Sequence, residues 1–448
     1  MRRAECDEST ASDGWTGSVP SASIDANRAM TRNPRERDTS PAEGGTGMRM
    51  PCAILALFGA VCAFVATGRE TRAQTTDEKT IAAAVIRVDY QRPLPISRVD
   101  LPTADIGFAG AELATADNNT TGAFMGQNFT LEKIEVAPDG VAQATADLLG
   151  RGVQYIVVLA DAPELLAISD AAGDKAMIFN AAAPDDELRN ADCRANTFHV
   201  TPSRSMQTDA IAQFLAWKRW PNWLLIEGSH PGDRALGEAY RKSAGKFGAK
   251  IVETRTFEDT GGARRTDSGL TQIQAQMPVF TQSAPAYDVL ITADENEVFA
   301  GYVPYHTWDP RPVAGSSGLT PVTWSPAQEA WGGTQLQSRF EKMAGRPMRA
   351  PDYEAWLAIR TLGEAATRTQ KTDLASIEGY VASPELQLAA FKGQALNFRD
   401  WDHQLRQPIL LATDHLVVSV SPQDGFLHQV TPLDTLGTDR PESQCSFK

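Results

Sequence analysis

Five acidic or amide side chains stand where apolar, strand-like runs end. Asp89, with Tyr90 beside it, follows IAAAVIRV; Asp161 follows YIVVLA; Asn180 follows AMIF; Glu227 ends WLLIE; Asp294, with Glu295, follows LITA. In open α/β sheets the carboxyl ends of strands carry the loops and helix N-termini where ligands approach. A carboxylate there can hold an ammonium group or a metal, and Tyr90 can supply an aromatic wall. Each has a plainer use. Asp89 pairs equally well with Arg92 or Arg98, Asp161 with the helix it precedes, Glu227 with a crossing segment and Asp294 with the next element. Oxygen ligation of the calcium type requires folding to gather several of these acids. Trp308, in YVPYHTWDPRP, either covers a flat or apolar ligand or packs within its loop. Arg264 and Arg265, in GARRTDSG, either meet an anionic ligand or stay solvated.

Catalytic patterns are missing from the sequence. His199, His230 and His306 can each be paired on paper with a carboxylate, yet Ser203 and Ser205 lie outside any G-x-S-x-G elbow and no H-E-x-x-H occurs. Gly122 and Gly126 do not form G-x-G-x-x-G, and no GK[ST] follows, so neither a dinucleotide nor a P-loop is indicated. The absence of a close Cys/His cluster argues against a structural zinc site. The chemistry on offer is binding.

The elements that would position these residues alternate between strand and helix. Residues 81–88 read as a buried strand, Ile106 to Asn119 as a helix, and FTLEKIEV from Phe129 as the next strand. Between them, DNNTTG reads as a turn in which Asn118 and Asn119 bond locally and Gly122 supplies the permissive backbone. Further strand–helix pairs follow through AMIFNAAA. A second series starts after FHVTPS, with Ser203 capping a helix to Arg219. A helical stretch from Ser325 to Arg368 is broken at Gly332-Gly333 and GRPMRAPD, and RQPILLATDHLVVSVSP adds strands crossing back between lobes. Such alternation predicts α/β layers around mainly parallel sheets.

The first part of the chain reads differently. Residues 1–47 are polar and aperiodic. Cys52 to Ala66 forms an apolar run of 15 residues behind Arg49, followed by a cleavage-like Thr71-Arg72-Ala73 before Gln74. This is a signal-peptide layout over 48–73, too short for a comfortable membrane span of about 20 residues. Met48 or Met50 is the more natural start. The net charge is −14, and residues 1–73 carry nine basic and nine acidic side chains, so cleavage leaves the excess intact. Such acidity disfavours nucleic acid as a partner. Only Cys193 and Cys445 survive cleavage, either as one disulfide tying the C-terminus to the first half of the fold or as free buried thiols.

GAELATADNNTTGAFMGQNFTLE, AMIFNAAAPDDELR, NTFHVTPSRSMQTDAIAQFL and WLLIEG together resemble the type I periplasmic substrate-binding proteins of the branched-chain amino acid ABC transporter class. Within that class, VDYQRPLPISRVDLP, GARRTDSG, YVPYHTWDPRPVAG, LRQPILLAT and TPLDTLGTDRPESQC resemble the branch associated with PQQ-dependent alcohol dehydrogenase systems. The resemblance implies a two-lobed α/β fold with a central ligand cleft, a periplasmic location, no enzymatic activity and no resident cofactor. Residues 74–200 would form the first lobe, 201–330 most of the second, and 331–448 the helices and crossings that complete both. The expected function is capture of a small metabolite linked to alcohol oxidation and its delivery to an inner-membrane ABC permease. The alternative is a non-catalytic helper of a quinoprotein alcohol dehydrogenase, binding cofactor, metal or enzyme. Asp89, Tyr90, Asp161, Asn180, Glu227, Asp294 and Trp308 are the expected ligand contacts. Asn180 matches the position where amino-acid-binding relatives place a small polar contact, but three alanines follow it where a hydroxyl-rich clasp would be expected.

Overall fold

A computed structural model describes residues 79–92, 95–97, 100–261 and 272–448, all within one compact unit, Ala73–Lys448. The expected signal peptide, Arg98, Arg264 and Arg265 lie outside the described residues.

The first lobe is built on a five-stranded parallel sheet. Its strands are β1 (Lys79–Val88), β2 (Gln127–Val136), β3 (Tyr155–Leu159), β4 (Met177–Asn180) and β5 (Thr197–His199), in the order β2-β1-β3-β4-β5. β1 is almost continuously apolar because both of its faces are covered. Ile81, Ala83 and Val85 face one core, whereas Ala84, Ile86 and Val88 face another that includes Val141, Leu148, Leu165 and Ile168. The second core is supplied by α2 (Val141–Gly150) and α3 (Ala162–Ala172). The first is covered by α1 (Phe108–Met125) and by a helix made far later in the chain.

The second lobe begins with α4 (Arg204–Lys218), whose first turn is capped as expected by Ser203, its hydroxyl accepting from Met206 N–H. β6 (Asn222–Gly228), α5 (Pro231–Lys246), β7 (Lys250–Phe257), α6 (Ile273–Thr281), β8 (Val289–Ala293) and β9 (Val313–Gly315) follow, with the parallel sheet ordered β7-β6-β8-β9. After β10 (Thr320–Val322) the chain returns to the first lobe. α7 (Gly333–Ala344), α8 (Ala350–Thr369) and α9 (Leu374–Val381) are laid there, followed by short antiparallel strands β11 (Leu388–Ala389), β12 (Ala395–Phe398) and β13 (Leu405–Arg406). It crosses again to β14 (Ile409–Ala412) and β15 (Val417–Ser421), which join β10 in an antiparallel sheet of the second lobe. Two α/β lobes with mainly parallel sheets are thus joined by three crossings, at residues 200–203, around Thr323 and at 407–408.

One expectation changes. DNNTTG is helical: α1 continues to Met125, and the left-handed residue that ends it is Gly126 (φ 65°), not Gly122. The asparagines find tertiary partners instead of turning the chain. The Asn118 amide donates to Ile359 O of α8 at 2.7 Å, and Asn119 exchanges two bonds with the backbone of Phe129 at 2.7 and 2.9 Å. Gly122 is needed for space, since a Cβ there would stand 2.5 Å from Gln127 O.

Candidate functional site

The carboxyl ends of both parallel sheets carry the expected ligand contacts except Trp308, which lies just before β9 beside the C-terminal end of α6. In the first lobe Tyr90 and Asp161 meet directly. The Tyr90 hydroxyl donates to Glu164 Oε2 at 2.6 Å and accepts the Asp161 N–H at 2.8 Å, while Arg92 pairs with the Asp161 carboxylate at 2.5 Å and lies 4.7 Å over the Tyr90 ring. Burial, then the bond to Glu164, raises the phenol pKa, so Tyr90 stays protonated. Asp89 is exposed and is held through its backbone N–H to Val136 O at 2.8 Å.

Asn180 is fully buried and serves its own loop. Its amide donates to Ala183 O (2.8 Å) and faces His199 Nδ1 (3.0 Å), while its oxygen accepts the N–H groups of Ala182 and Ala183. Arg189, 3% exposed, takes the carbonyls of Ala183 and Asp185 at 2.8 and 2.9 Å and that of Thr201 at 2.9 Å. The backbone of the alanine loop is therefore largely satisfied from within. What it presents outward is the exposed Ala182 and the carboxylate of Asp185.

In the second lobe Glu227 receives Arg241 of α5 at 2.7 Å, an ion pair across a strand and its following helix. Asp294, 2% exposed, accepts the N–H groups of Val298, Phe299 and Ala300 at 2.9, 2.8 and 2.7 Å and so anchors the turn after β8. Burial outweighs those three donors and raises its carboxyl above the usual range. Trp308 is about half exposed, its backbone N–H held by Thr281 Oγ1 at 2.8 Å, and Tyr305 nearby in sequence is fully exposed. Among the described residues no three His, Cys, Asp or Glu side chains converge as metal ligands, and no helix is long and apolar enough to cross a membrane.

A second set of residues links the lobes across their strand ends. Arg204, the first residue of α4, places Nε and Nη2 on the two oxygens of Glu295 (2.6 and 2.8 Å) and Nη1 on Asp185 of the first lobe (2.8 Å). This fork-to-carboxylate geometry is the strong form of an ion pair. Burial opposes the Arg204 charge, but the two carboxylates raise its pKa on balance. For Glu295 burial outweighs the guanidinium and lifts the carboxyl. The rule that ligands meet strand ends was enough to mark Glu295 and would have marked Asp185; Arg204 carries no such sequence signal.

Behind the cleft, a buried pair holds the three crossings. Lys392 Nζ donates to Thr323 O and, at 3.2 Å, to Pro408 O, and lies 5.2 Å over the Tyr353 ring. Glu354 accepts from Thr323 Oγ1 at 2.8 Å and from the Thr201 hydroxyl. Burial pushes Glu354 up to about 7 and Lys392 down to about 7.

A family described as Periplasmic binding protein matches residues 102–413. The chain belongs to the periplasmic binding protein family. This periplasmic binding protein is accordingly a periplasmic, non-catalytic member of a solute-binding family. Its fold is similar to that of the leucine-, isoleucine-, valine-, threonine- and alanine-binding protein of Brucella ovis in its closed conformation. The TM-score is 0.62 and the identity 14%, over 83% of this chain and 99% of that one. It is also similar to a branched chain amino acid ABC transporter periplasmic ligand-binding protein of Burkholderia xenovorans (TM-score 0.63, 14% identity, 82% and 99% covered). A third similar structure is an ABC transporter solute-binding protein of R. palustris in complex with benzoate (0.57, 12%, 82% and 100%). Comparison with curated proteins gives no match.

Proposed function

We propose that this periplasmic binding protein captures a small solute between its lobes and delivers it to an inner-membrane ABC permease. The observation that supports this most directly is the cross-lobe network of Arg204, Glu295 and Asp185, placed where the strand ends of the two lobes face each other. A ligand entering there exchanges partners with a guanidinium and two carboxylates, and the alanine loop offers it no hydroxyl clasp. The carboxylate of a small organic acid would take the place of one of the two on Arg204, and the hydroxyl clasp expected for amino-acid recognition is missing. Closure over the ligand then shifts the lobe equilibrium and presents a closed form to the permease.

The narrower reading, a metabolite of alcohol oxidation, rests on the sequence stretches that resemble the quinoprotein-associated branch. A non-catalytic role beside a PQQ-dependent alcohol dehydrogenase is favoured by the exposed Tyr305 and Trp308, which present aromatic surface to solvent. One experiment separates these readings. The protein, freed of bound ligand by reversible unfolding, is heated with branched amino acids, short alcohols and their acids, aromatic acids, PQQ, or calcium and lanthanide ions. A ligand of the folded state raises the apparent Tm. A saturable rise with the acids, lost in Arg204→Ala, is the expected outcome. A rise with PQQ or a metal alone replaces transport by the helper role.

A further inference from the structure

The family match ends at residue 413, and the chain beyond β14 does something the three crossings do not. It is fastened to both lobes. On the second lobe, the Gly437 N–H meets Asp209 Oδ2 at 2.8 Å, Lys246 reaches Gly437 O at 2.8 Å, and Gln213 donates to Thr435 Oγ1 at 2.8 Å. Leu436 is fully buried in that lobe's core with Met206 and Ile211. Gly437 itself (φ 78°) lies so close to the first crossing that a Cβ would stand 2.7 Å from the Met206 side chain and 3.6 Å from Ser203 Oγ.

On the first lobe, the Gln444 N–H meets Asn190 Oδ1 at 2.5 Å, and Cys445 is bonded to Cys193. Lys448 exchanges backbone bonds of 3.3 Å with Cys193 and Ala195. Just before the second-lobe anchorage, Arg399, which follows β12, and Arg406, on β13, grip the buried Asp434 at 2.9–3.0 Å from the first lobe. Seven residues separate Gly437 from Cys445, a link that could span at most about 28 Å when drawn out, and Arg399 on Thr438 O (3.3 Å) and Asp400 on Arg440 (3.1 Å) pin it to the first lobe.

We propose that the segment from Thr431 to Lys448 is a fourth connection between the lobes, a splint laid against the hinge, and that the Cys193–Cys445 bond fixes it in place. Lobe rotation about the three crossings must displace Gly437 from Ser203 and Met206 or strip the tail from loop 190–195. The disulfide forbids the second route. The range of lobe angles is therefore narrow in the oxidised protein and wider once the bond is gone. This holds whatever ligand the cleft takes.

The test reads the distance across the cleft mouth. β2 and β7 are the sheet edges farthest from the hinge, and Asp139 and Glu258, just beyond their carboxyl ends, are exposed. Nitroxides attached at these two positions through a non-cysteine handle report the distance distribution by pulsed electron spin resonance. It is measured for the oxidised protein, for the protein reduced after folding, with thiol formation verified by mass, and for Cys193→Ser/Cys445→Ser. The expected result is a single narrow distribution when oxidised, and a broader one extending to longer distance in both bond-free forms. Superimposable distributions would overturn the proposal. Should the serine pair fail to fold, the folded-then-reduced protein decides alone.

Discussion

Glu354 and Lys392 make the hinge sensitive to proton activity in a direction that can be worked out. A carboxyl raised from 4.5 to about 7 by burial binds its proton more tightly folded than unfolded. The folded state therefore loses stability through this group as pH climbs from 4.5 to about 7 and regains none above it. Lys392, lowered from 10.5 to about 7, acts in the next window, where stability recovers as pH rises toward 10.5. Subtracting the denaturant-measured stability of Glu354→Gln from that of the wild type at each pH should give a curve falling between 4.5 and about 7; a flat difference would show that Glu354 is not held as described. Arg204 is the second residue with a clear expectation. Replacing it by Ala strands the Glu295 carboxylate, whose side chain is a quarter exposed and so partly screened, at a cost of about 1–2 kcal/mol. Arg204→Ala/Glu295→Gln should recover part of that loss in urea titrations. Sequence marked the carboxylates through their place after strands but not their partners. Arg241 stands 14 residues from Glu227, and Asp294 is satisfied by backbone N–H groups whose direction depends on the turn they form. Partner choice belongs to tertiary geometry: the sequence marks Asn180 as an expected contact, and only the fold shows that its amide also braces its own loop.

Helix against helix, the decisive contact of the first lobe is α1 on α8, and glycine makes it. A Cβ on Gly110 would fall 1.8 Å from the Asp352 carbonyl oxygen, and one on Gly363 would fall 2.1 Å from the Asn118 side chain. Gly110→Ala drives one backbone against another and should cost about 3 kcal/mol. Gly126→Ala, where the backbone is left-handed at the end of α1, should cost about 1 kcal/mol. Urea denaturation of the two variants side by side checks the order; equal losses would mean that α1 and α8 are less tightly fitted than the glycines indicate. The strand–helix alternation was legible because β1, β3, β4, β6 and β8 are covered on both faces and read as short apolar blocks. DNNTTG was misread because Asn and Gly favour turns locally, while Ile359 and Gly363, which hold the segment helical, lie some 240 residues away in sequence.

At the scale of the whole protein, the disulfide closes a loop of 252 residues. Cross-linking so long a loop restricts the unfolded chain, and its reduction should lower the unfolding free energy by about 2–5 kcal/mol. Urea titration with and without reductant measures this, and an unchanged midpoint would place the restraint in the folded state alone. The return of the chain to its first lobe has one more consequence, which concerns the order of synthesis. The sheet of that lobe and α1 are made first, yet the cover of the face carrying Ile81, Ala83 and Val85 is completed only by residues 350–369, which follow some 270 residues later. During that interval the nascent first lobe has no finished core and exposes part of an apolar sheet face that must be shielded or kept unfolded. A chain with this layout cannot settle half by half as it is made; it is suited to being held open until α8 has arrived.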